Sequence, residues 1–258
     1  MAIDEAIFIC VKRGISPPTL RLYGWKTPSV SIGYFQDPAQ ELNMDTIRKE
    51  GYEVVRRPTG GRAIFHEEEI TYSVSATIDV HKDFETLSTT FLTISRCFLR
   101  ALELIGIKAE LASLKKGNKG SSLCFSSTSL YEICVNGEKL IGSAQRRDGS
   151  SFLQQGSFLI GFDFEKNSKI FPDLYSSKYR HKIGYLKKYI SRNLELKVIE
   201  EAIVKGFEEE LGARLIKSKI TDEEKKVAKQ LFENKYTKDT WNAKRVKTEF
   251  LDFSLQEG

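Results

Sequence analysis

The sequence predicts an α+β fold, in which a mixed, mainly antiparallel sheet is covered by helices. Three observations carry this. Helical and strand patterns are segregated along the chain, as helix, strands, one long helix, three strands and then helices, rather than alternating as in a parallel α/β sheet. Residues 130–160 place Asn136-Gly137 and Asp148-Gly149 between β-prone runs, which predicts a three-stranded meander. Phe84, Leu87, Phe91, Ile94, Phe98, Leu102 and Ile105 form the clearest helical stripe of the chain, a core face rather than a cofactor site.

Taken in order, Ile3, Ala6, Ile7, Cys10 and Val11 recur at helical spacing, so residues 2–13 should form a helix stopped by Ser16-Pro17-Pro18. Thr19 to Tyr23 and Ser29 to Tyr34 alternate as half-buried strands do, joined by the turn-rich Gly24-Trp25-Lys26-Thr27-Pro28. Leu42 to Gly51 reads as a short helix with Met44 and Ile47 inward, and Tyr52 to Arg56 as a strand. Ile70, Tyr72, Val74 and Ala76 fall on one face of a further strand. The long helix should run about six turns and end at Gly106, followed by a short strand at Lys108 to Leu111.

Ser113 to Ser122, rich in Lys, Gly and Ser, reads as a loop that delivers Cys124. The meander strands are Leu130 to Val135, Lys139 to Arg147 and Ser151 to Ile160, the last with Gly156 inside it. Beyond it, Lys166 to Pro172 suggests a turn and a short helical segment. Leu194 to Leu211 is an amphipathic helix with Leu196, Ile199, Ile203 and Phe207 inward. Thr221 caps another, with Val227 and Leu231 on its core side.

The chain has 258 residues, a net charge of +5 and 40% apolar residues, which supports a sizeable core. Acids and bases are mixed, too evenly to imply nucleic acid, although the basic excess suits an acidic protein partner. Tyr175 to Arg192 is strongly basic with interleaved aromatics, yet no nucleic-acid motif accompanies it. The four cysteines have neither metal-ligand spacing nor the density of a secreted scaffold, and Cys10, Cys97 and Cys134 read as buried thiols. No apolar run reaches membrane-spanning length and the first helix is not a signal peptide, so the expectation is a cytoplasmic protein with reduced thiols.

Chemistry concentrates in two stretches. Cys124 precedes the meander and Lys139 opens its middle strand. A thiol near an ammonium suits acyl transfer, because the cation favours the thiolate and can hydrogen-bond a developing oxyanion. The plainer alternative is a buried apolar thiol and a solvated lysine. In Arg57-Pro58-Thr59-Gly60-Gly61-Arg62, paired glycines let backbone approach a ligand, and Arg57 and Arg62 add charged donors; a simple turn between strands is the alternative. His66 follows, either as a hydrogen-bonded structural histidine or as a substrate contact.

The run from Cys124-Phe125-Ser126-Ser127 through Lys139 to Gly142-Ser143-Ala144-Gln145 resembles the protein octanoyltransferases of the lipoate–biotin protein ligase superfamily. So do Arg56-Arg57-Pro58-Thr59-Gly60-Gly61-Arg62-Ala63 with His66, the opening Met1-Ala2-Ile3-Asp4-Glu5-Ala6, and the segment from Tyr23-Gly24-Trp25 to Gly33-Tyr34-Phe35-Gln36. The resemblance covers residues 1–160 well and continues weakly to Trp241-Asn242. It implies the lipoate/biotin protein ligase catalytic fold, as one catalytic domain over 1–258 with C-terminal helices (about 194–258) packed onto it.

It also implies octanoyl transfer from acyl carrier protein to a lysine of a lipoyl domain through a thioester on Cys124, with Lys139 stabilising the oxyanion. The lipoyl domain would be that of a glycine cleavage H protein or a 2-oxoacid dehydrogenase E2. Arg57, Thr59, Gly60, Gly61, Arg62, His66, Gly142, Ser143, Ala144, Gln145 and Gly156 would form the acyl pocket, with no metal and no organic cofactor. The rivals are an ATP-dependent lipoate–protein ligase and an amidotransferase between lipoyl domains. Biotin ligase fits less well, since its arginine- and glycine-rich loop is not matched. A non-catalytic scaffold leaves the intact Cys124 and Lys139 unexplained.

Overall fold

The structure is a computed structural model and describes residues 1–112, 131–175, 181–190 and 194–245. Cys124 and the lysine-rich stretch 113–122, with Lys115, Lys116 and Lys119, which the sequence predicts as a loop, lie outside the described residues, as do Lys178, Arg180 and Arg192 of the basic segment. The elements are α1 (Ala2–Lys12), β1 (Thr19–Tyr23), β2 (Ser29–Ile32), α2 (Pro38–Glu41), α3 (Met44–Glu50), β3 (Glu53–Arg56), β4 (Ile64–His66), β5 (Glu69–Thr77), α4 (Leu87–Leu104), β6 (Glu110–Leu111), β7 (Ile133–Val135), β8 (Glu138–Asp148), β9 (Ser151–Leu159), α5 (Phe164–Ile170), α6 (Leu196–Leu211), α7 (Asp222–Leu231) and α8 (Asp239–Asn242).

As expected, the fold is α+β, and its strands divide into two sheets. A six-stranded sheet of order β1-β5-β9-β8-β7-β6 is antiparallel at every pairing. Among the named strands the parallel pairing is in a three-stranded sheet, where β2 lies between parallel β3 and antiparallel β4. The β7–β8 hairpin closes on Asn136 (φ 52°) and Gly137 (φ 76°), both in the left-handed region that a two-residue hairpin turn of this kind requires. The second hairpin pairs Asp148 with Ser151, so its turn is Gly149-Ser150, one residue later than the sequence suggests.

One face of the large sheet is apolar. Ile70, Tyr72, Val74 and Ala76 of β5, with Phe152 and Phe158 of β9, pack under Ile94, Phe98, Ala101 and Leu102 of α4. Ile199, Ile203 and Phe207 of α6 join the same cluster. The stripe begins differently from its periodicity. Thr86 and Thr89 form a capping box that starts α4 at Leu87, so Phe84 packs from a preceding 3-10 turn and Leu87 is exposed. Leu196, the first residue of α6, is likewise exposed rather than inward.

The other face of the large sheet is polar and nevertheless buried. Glu69, Thr71, Ser73 and Ser75 of β5, and Gln155 and Ser157 of β9, are all under 9% exposed. Alternation of this kind usually marks a solvent face. Here α1 covers it and the small sheet flanks it. The apolar core of the small sheet joins Val30, Ile32, Ile64 and Phe65 to Ile47, Ile170 and Phe171. A third cluster holds α1 to the C-terminal helices, through Ala6, Cys10, Val227, Leu231, Tyr236 and Trp241.

Candidate active site

The strand β3 ends in two arginines with separate tasks. Arg56 is 1% exposed and its guanidinium donates to six carbonyls. Three belong to the turn after β2 (Gly33, Tyr34 and Gln36) and three to α8 and the residue after it (Trp241, Asn242 and Ala243). In return, Trp241 Nε1 donates to the Arg56 carbonyl at 3.1 Å. Arg57 donates from Nη1 to the carbonyl (3.0 Å) and hydroxyl (2.7 Å) of Ser31, and from Nη2 to the carbonyls of Gly60 (3.0 Å) and Arg62 (2.9 Å). Nη2 therefore shapes the glycine loop from inside while Nη1 ties it to β2.

Gly61 of that loop and Gly33 facing it are glycines for physical reasons. Gly61 has φ +81°, and its carbonyl lies where a Cβ on Gly33 would be, at 1.9 Å. Thr59 is fully buried and donates to Gln155 Oε1 at 2.9 Å, which fastens the loop to β9. Gln155 Nε2 donates in turn to Asp4 Oδ2 at 2.7 Å.

Asp4, 0% exposed on α1, also accepts from Arg21 Nη1 (2.5 Å), Tyr23 (2.6 Å) and Ser73 (3.1 Å). Burial raises the pKa of its carboxyl. The chain's amino terminus, Arg21, Tyr23 and Gln155 more than offset this and hold it below 3.8. Asp4 therefore stays ionised as the hub joining α1, β1, β5 and β9.

His66, 2% exposed, spends both ring nitrogens on the protein: Nδ1 faces Glu69 Oε1 at 2.6 Å and Nε2 faces the Ser31 hydroxyl at 2.5 Å. Trp25 stacks on the ring, with centroids 4.2 Å apart, and donates from Nε1 to Thr71 Oγ1, which donates to Glu69 Oε1. The arrangement has the hydrogen bonds of a structural histidine while the ring still faces the pocket.

That pocket lies between the glycine loop and the β5–β9–β8 strands and holds about 310 Å³ of empty space, its open mouth included. Its lining includes Arg57, Ile64, His66, Thr71, Gln155 and Met1, with Gly142, Ser143, Ala144 and Gly156 as the strand wall. Small residues on β8 and β9 keep this wall free of long side chains. Gly156 also lets Tyr72 close in from the apolar side, where a Cβ would meet the ring at 2.2 Å. Tyr72 reaches the Ser143 hydroxyl at 2.6 Å.

Lys139 lies on β8, three residues before Gly142, and is 1% exposed. Its ammonium is ion-paired with Glu132. It is not a solvated surface lysine. The β7–β8 register breaks between Ile133 and Cys134, and Cys134 stands opposite Lys139. Burial, and then Glu132, push the Cys134 thiol up to about 11, so it is protonated near neutral pH. Burial also raises the Cys10 and Cys97 thiols. The three described cysteines are thus buried and unreactive.

The structure brings Arg57, His66, Gly142, Ser143, Ala144 and Gly156 together around one cavity. Thr59, Gly60 and Gly61 stand behind it as the loop's framework. Gln145 points to the apolar side, donating to Gln154 at 2.9 Å. Arg62 is held by its carbonyl, while its buried Nη1 meets no hydrogen-bond partner among the described residues.

Asp4, Trp25, Arg56, Glu69, Thr71, Glu132 and Gln155 have no role that sequence patterning reveals. Their partners are 2 to 187 residues away, and only the presence of charges on apolar-periodic elements such as α1 hints at burial. Among the described residues no cluster of His, Cys, Asp and Glu is placed to hold a metal, and no helix is long and apolar enough to cross a membrane. In the basic segment, Lys187 pairs with Glu68 and Lys188 with Glu138, so part of its charge is neutralised within the fold.

Comparison with known proteins gives a consistent answer. Residues 1–208 match the family model of the lipoyl protein ligase A/B catalytic domain. An octanoyltransferase LipM of Kyrpidia tusciae is 38% identical over 258 residues, covering 95% of this chain and 94% of that protein. One from Carboxydothermus hydrogenoformans is 37% identical, covering 93% and 92%. Among solved structures, lipoate-protein ligase A bound with ATP superposes with a TM-score of 0.81 at 25% identity, covering 95% of this chain and 93% of that one.

Proposed function

The chain belongs to the lipoyl protein ligase A/B catalytic domain family, and we propose that within it the protein is an octanoyltransferase that carries its acyl group on Cys124. Its near full-length relatives are octanoyltransferases, so the chain is an acyltransferase acting in protein lipoylation. The observation that supports the cysteine mechanism best is Lys139, a buried and ion-paired lysine one turn of strand from a pocket walled by glycine, serine and alanine. A structural lysine has little reason to be buried there. An ammonium serving an acyl carbonyl has one.

The donor is octanoyl acyl carrier protein. The Cys124 thiolate attacks the thioester carbonyl, Lys139 hydrogen-bonds the oxyanion, and the donor's thiolate leaves. The acceptor is a lipoyl domain, as in a glycine cleavage H protein or a 2-oxoacid dehydrogenase E2. The neutral amine of its target lysine attacks the enzyme thioester. The C–S bond breaks, an amide forms, and the amine's proton passes to solvent. Arg57 and His66 form one wall of the acyl site, backed by Thr59, Gly60, Gly61 and Arg62 of the glycine loop, and Gly142, Ser143, Ala144 and Gly156 form the other. Gln145 supports that strand from behind. One domain over 1–258 performs both steps, and a cytoplasmic setting keeps its thiols reduced.

The rival within the family is ATP-dependent ligation of a free acid, which has no use for a nucleophilic thiol. Incubation with octanoyl acyl carrier protein alone, followed by intact mass, should show one octanoyl group on Cys124 that moves to added lipoyl domain. No ATP or magnesium should be needed. Modification of the lipoyl domain from free octanoate and ATP, undiminished in Cys124→Ala, would establish the ligase instead.

A further inference from the structure

An ammonium taken out of water loses its proton unless a partner compensates for the lost hydration. Lys139 is 1% exposed, and the carboxylate that meets its Nζ belongs to Glu132, whose side chain is 11% exposed. Glu132 is fixed by its own backbone surroundings. The preceding Tyr131 has φ 66°, a conformation an aromatic residue adopts only when its neighbours enforce it. Ser95 of α4 donates to the Tyr131 carbonyl at 2.7 Å, and the Ala112 amide donates to the Glu132 carbonyl at 2.7 Å. The backbone that carries Glu132 is thus held from α4 and from the residue after β6, and it leads directly into β7, the strand paired with the one that carries Lys139.

We propose that Glu132 is a positioning residue for the transfer reaction, keeping the Lys139 ammonium protonated and oriented towards the acyl carbonyl. This rests on the reading of Lys139 as oxyanion donor. Among the described residues, the other titratable or charged groups placed against Lys139 by strand pairing are these. Cys134 faces it from β7, with Glu110 of β6 opposite Cys134. Glu138, next to it on β8, is engaged by Lys188 at 2.6 Å and by Tyr189. Lys182 precedes Ile183, whose backbone bridges to that of Lys139. The Cys134 thiol, pushed up to about 11, titrates above the range in question.

The sign is fixed. A carboxylate beside the ammonium favours its protonated form, whereas burial alone favours the neutral amine. Replacing Glu132 by glutamine removes the carboxylate that meets the Lys139 ammonium and lowers the pKa of Lys139. Acyl-enzyme formation then loses its donor at lower pH, while a merely structural role would move thermal stability and leave the pH limb in place.

The test is the single-turnover rate of octanoylation by octanoyl acyl carrier protein, followed by intact mass between about pH 6 and 10, for wild type, Glu132→Gln, Glu132→Asp and Lys139→Ala. In Glu132→Gln the alkaline limb should move down by about one to three pH units, the usual effect of one close charge. Glu132→Asp, one methylene shorter, should shift it less in the same direction, and decides the matter if the glutamine variant does not fold. A limb coincident with wild type in a folded variant overturns the proposal, provided Lys139→Ala is inactive. Wild-type rates in Lys139→Ala would instead refute the underlying reading of Lys139.

Discussion

Replacing Arg56 by methionine tests the link between the C-terminal segment and the glycine loop. Methionine keeps most of the length and removes six hydrogen bonds to carbonyls. Two of those carbonyls keep another partner, since Gln36 N–H bonds to Gly33 and Arg245 N–H to Trp241. The other four, on Tyr34, Gln36, Asn242 and Ala243, belong to half-buried or exposed residues that water can reach after a small shift. Dehydration of the guanidinium, the cause of its lowered pKa, is also relieved. The net loss is therefore far below six full hydrogen bonds, at about 3 kcal/mol.

For a chain of this size each kcal/mol moves the midpoint by about 2 °C, so the expected fall in Tm is about 6 °C. Because Arg56 immediately precedes the loop that Arg57 shapes, KM for the acyl donor should rise more than kcat falls. Thermal unfolding followed by circular dichroism, with transfer kinetics below the transition, reads both. A Tm within about 1 °C of wild type, with unchanged KM, would refute the claim that α8 braces the loop.

Cys124→Ala should abolish enzyme acylation, and iodoacetamide at pH 8 should leave Cys10, Cys97 and Cys134 of the folded protein unmodified; labelling of any of these three, mapped by peptide mass, contradicts their burial. Lys139→Ala should slow transfer by about 10²–10³-fold with the fold intact, and Lys139→Arg should not restore it fully, because a planar guanidinium does not replace a compact ammonium. Asp4 has a pKa below 3.8 in the folded state, so its stabilisation is complete above that value and is lost as pH falls through the lower, folded one. Asp4→Asn should therefore be less stable at neutral pH and lose less on acidification, and parallel acid-unfolding profiles for the two proteins would argue against the hub.

Local patterns in the sequence were enough to place the longer elements, though not the short α2, β4 and α8. Asn136-Gly137 dictates a tight hairpin because few other pairs tolerate two successive left-handed residues. The stripe of α4 and the even positions of β5 dictate a helix-on-sheet core because apolar periodicity identifies the face to be buried. The resemblance marked the glycine loop and the Lys139 strand, which the fold then set about one pocket. What patterning left open is the polar face of β5 and β9, where Thr71, Ser73, Gln155 and Ser157 alternate like a wetted surface and are buried under α1. Periodicity reports which face differs, and only tertiary contact decides whether water or protein meets it. The same holds for Asp4, Arg56, His66 and Glu132: each is an ordinary polar letter in the chain, and its charge or ring acquires a task only through partners brought from distant elements.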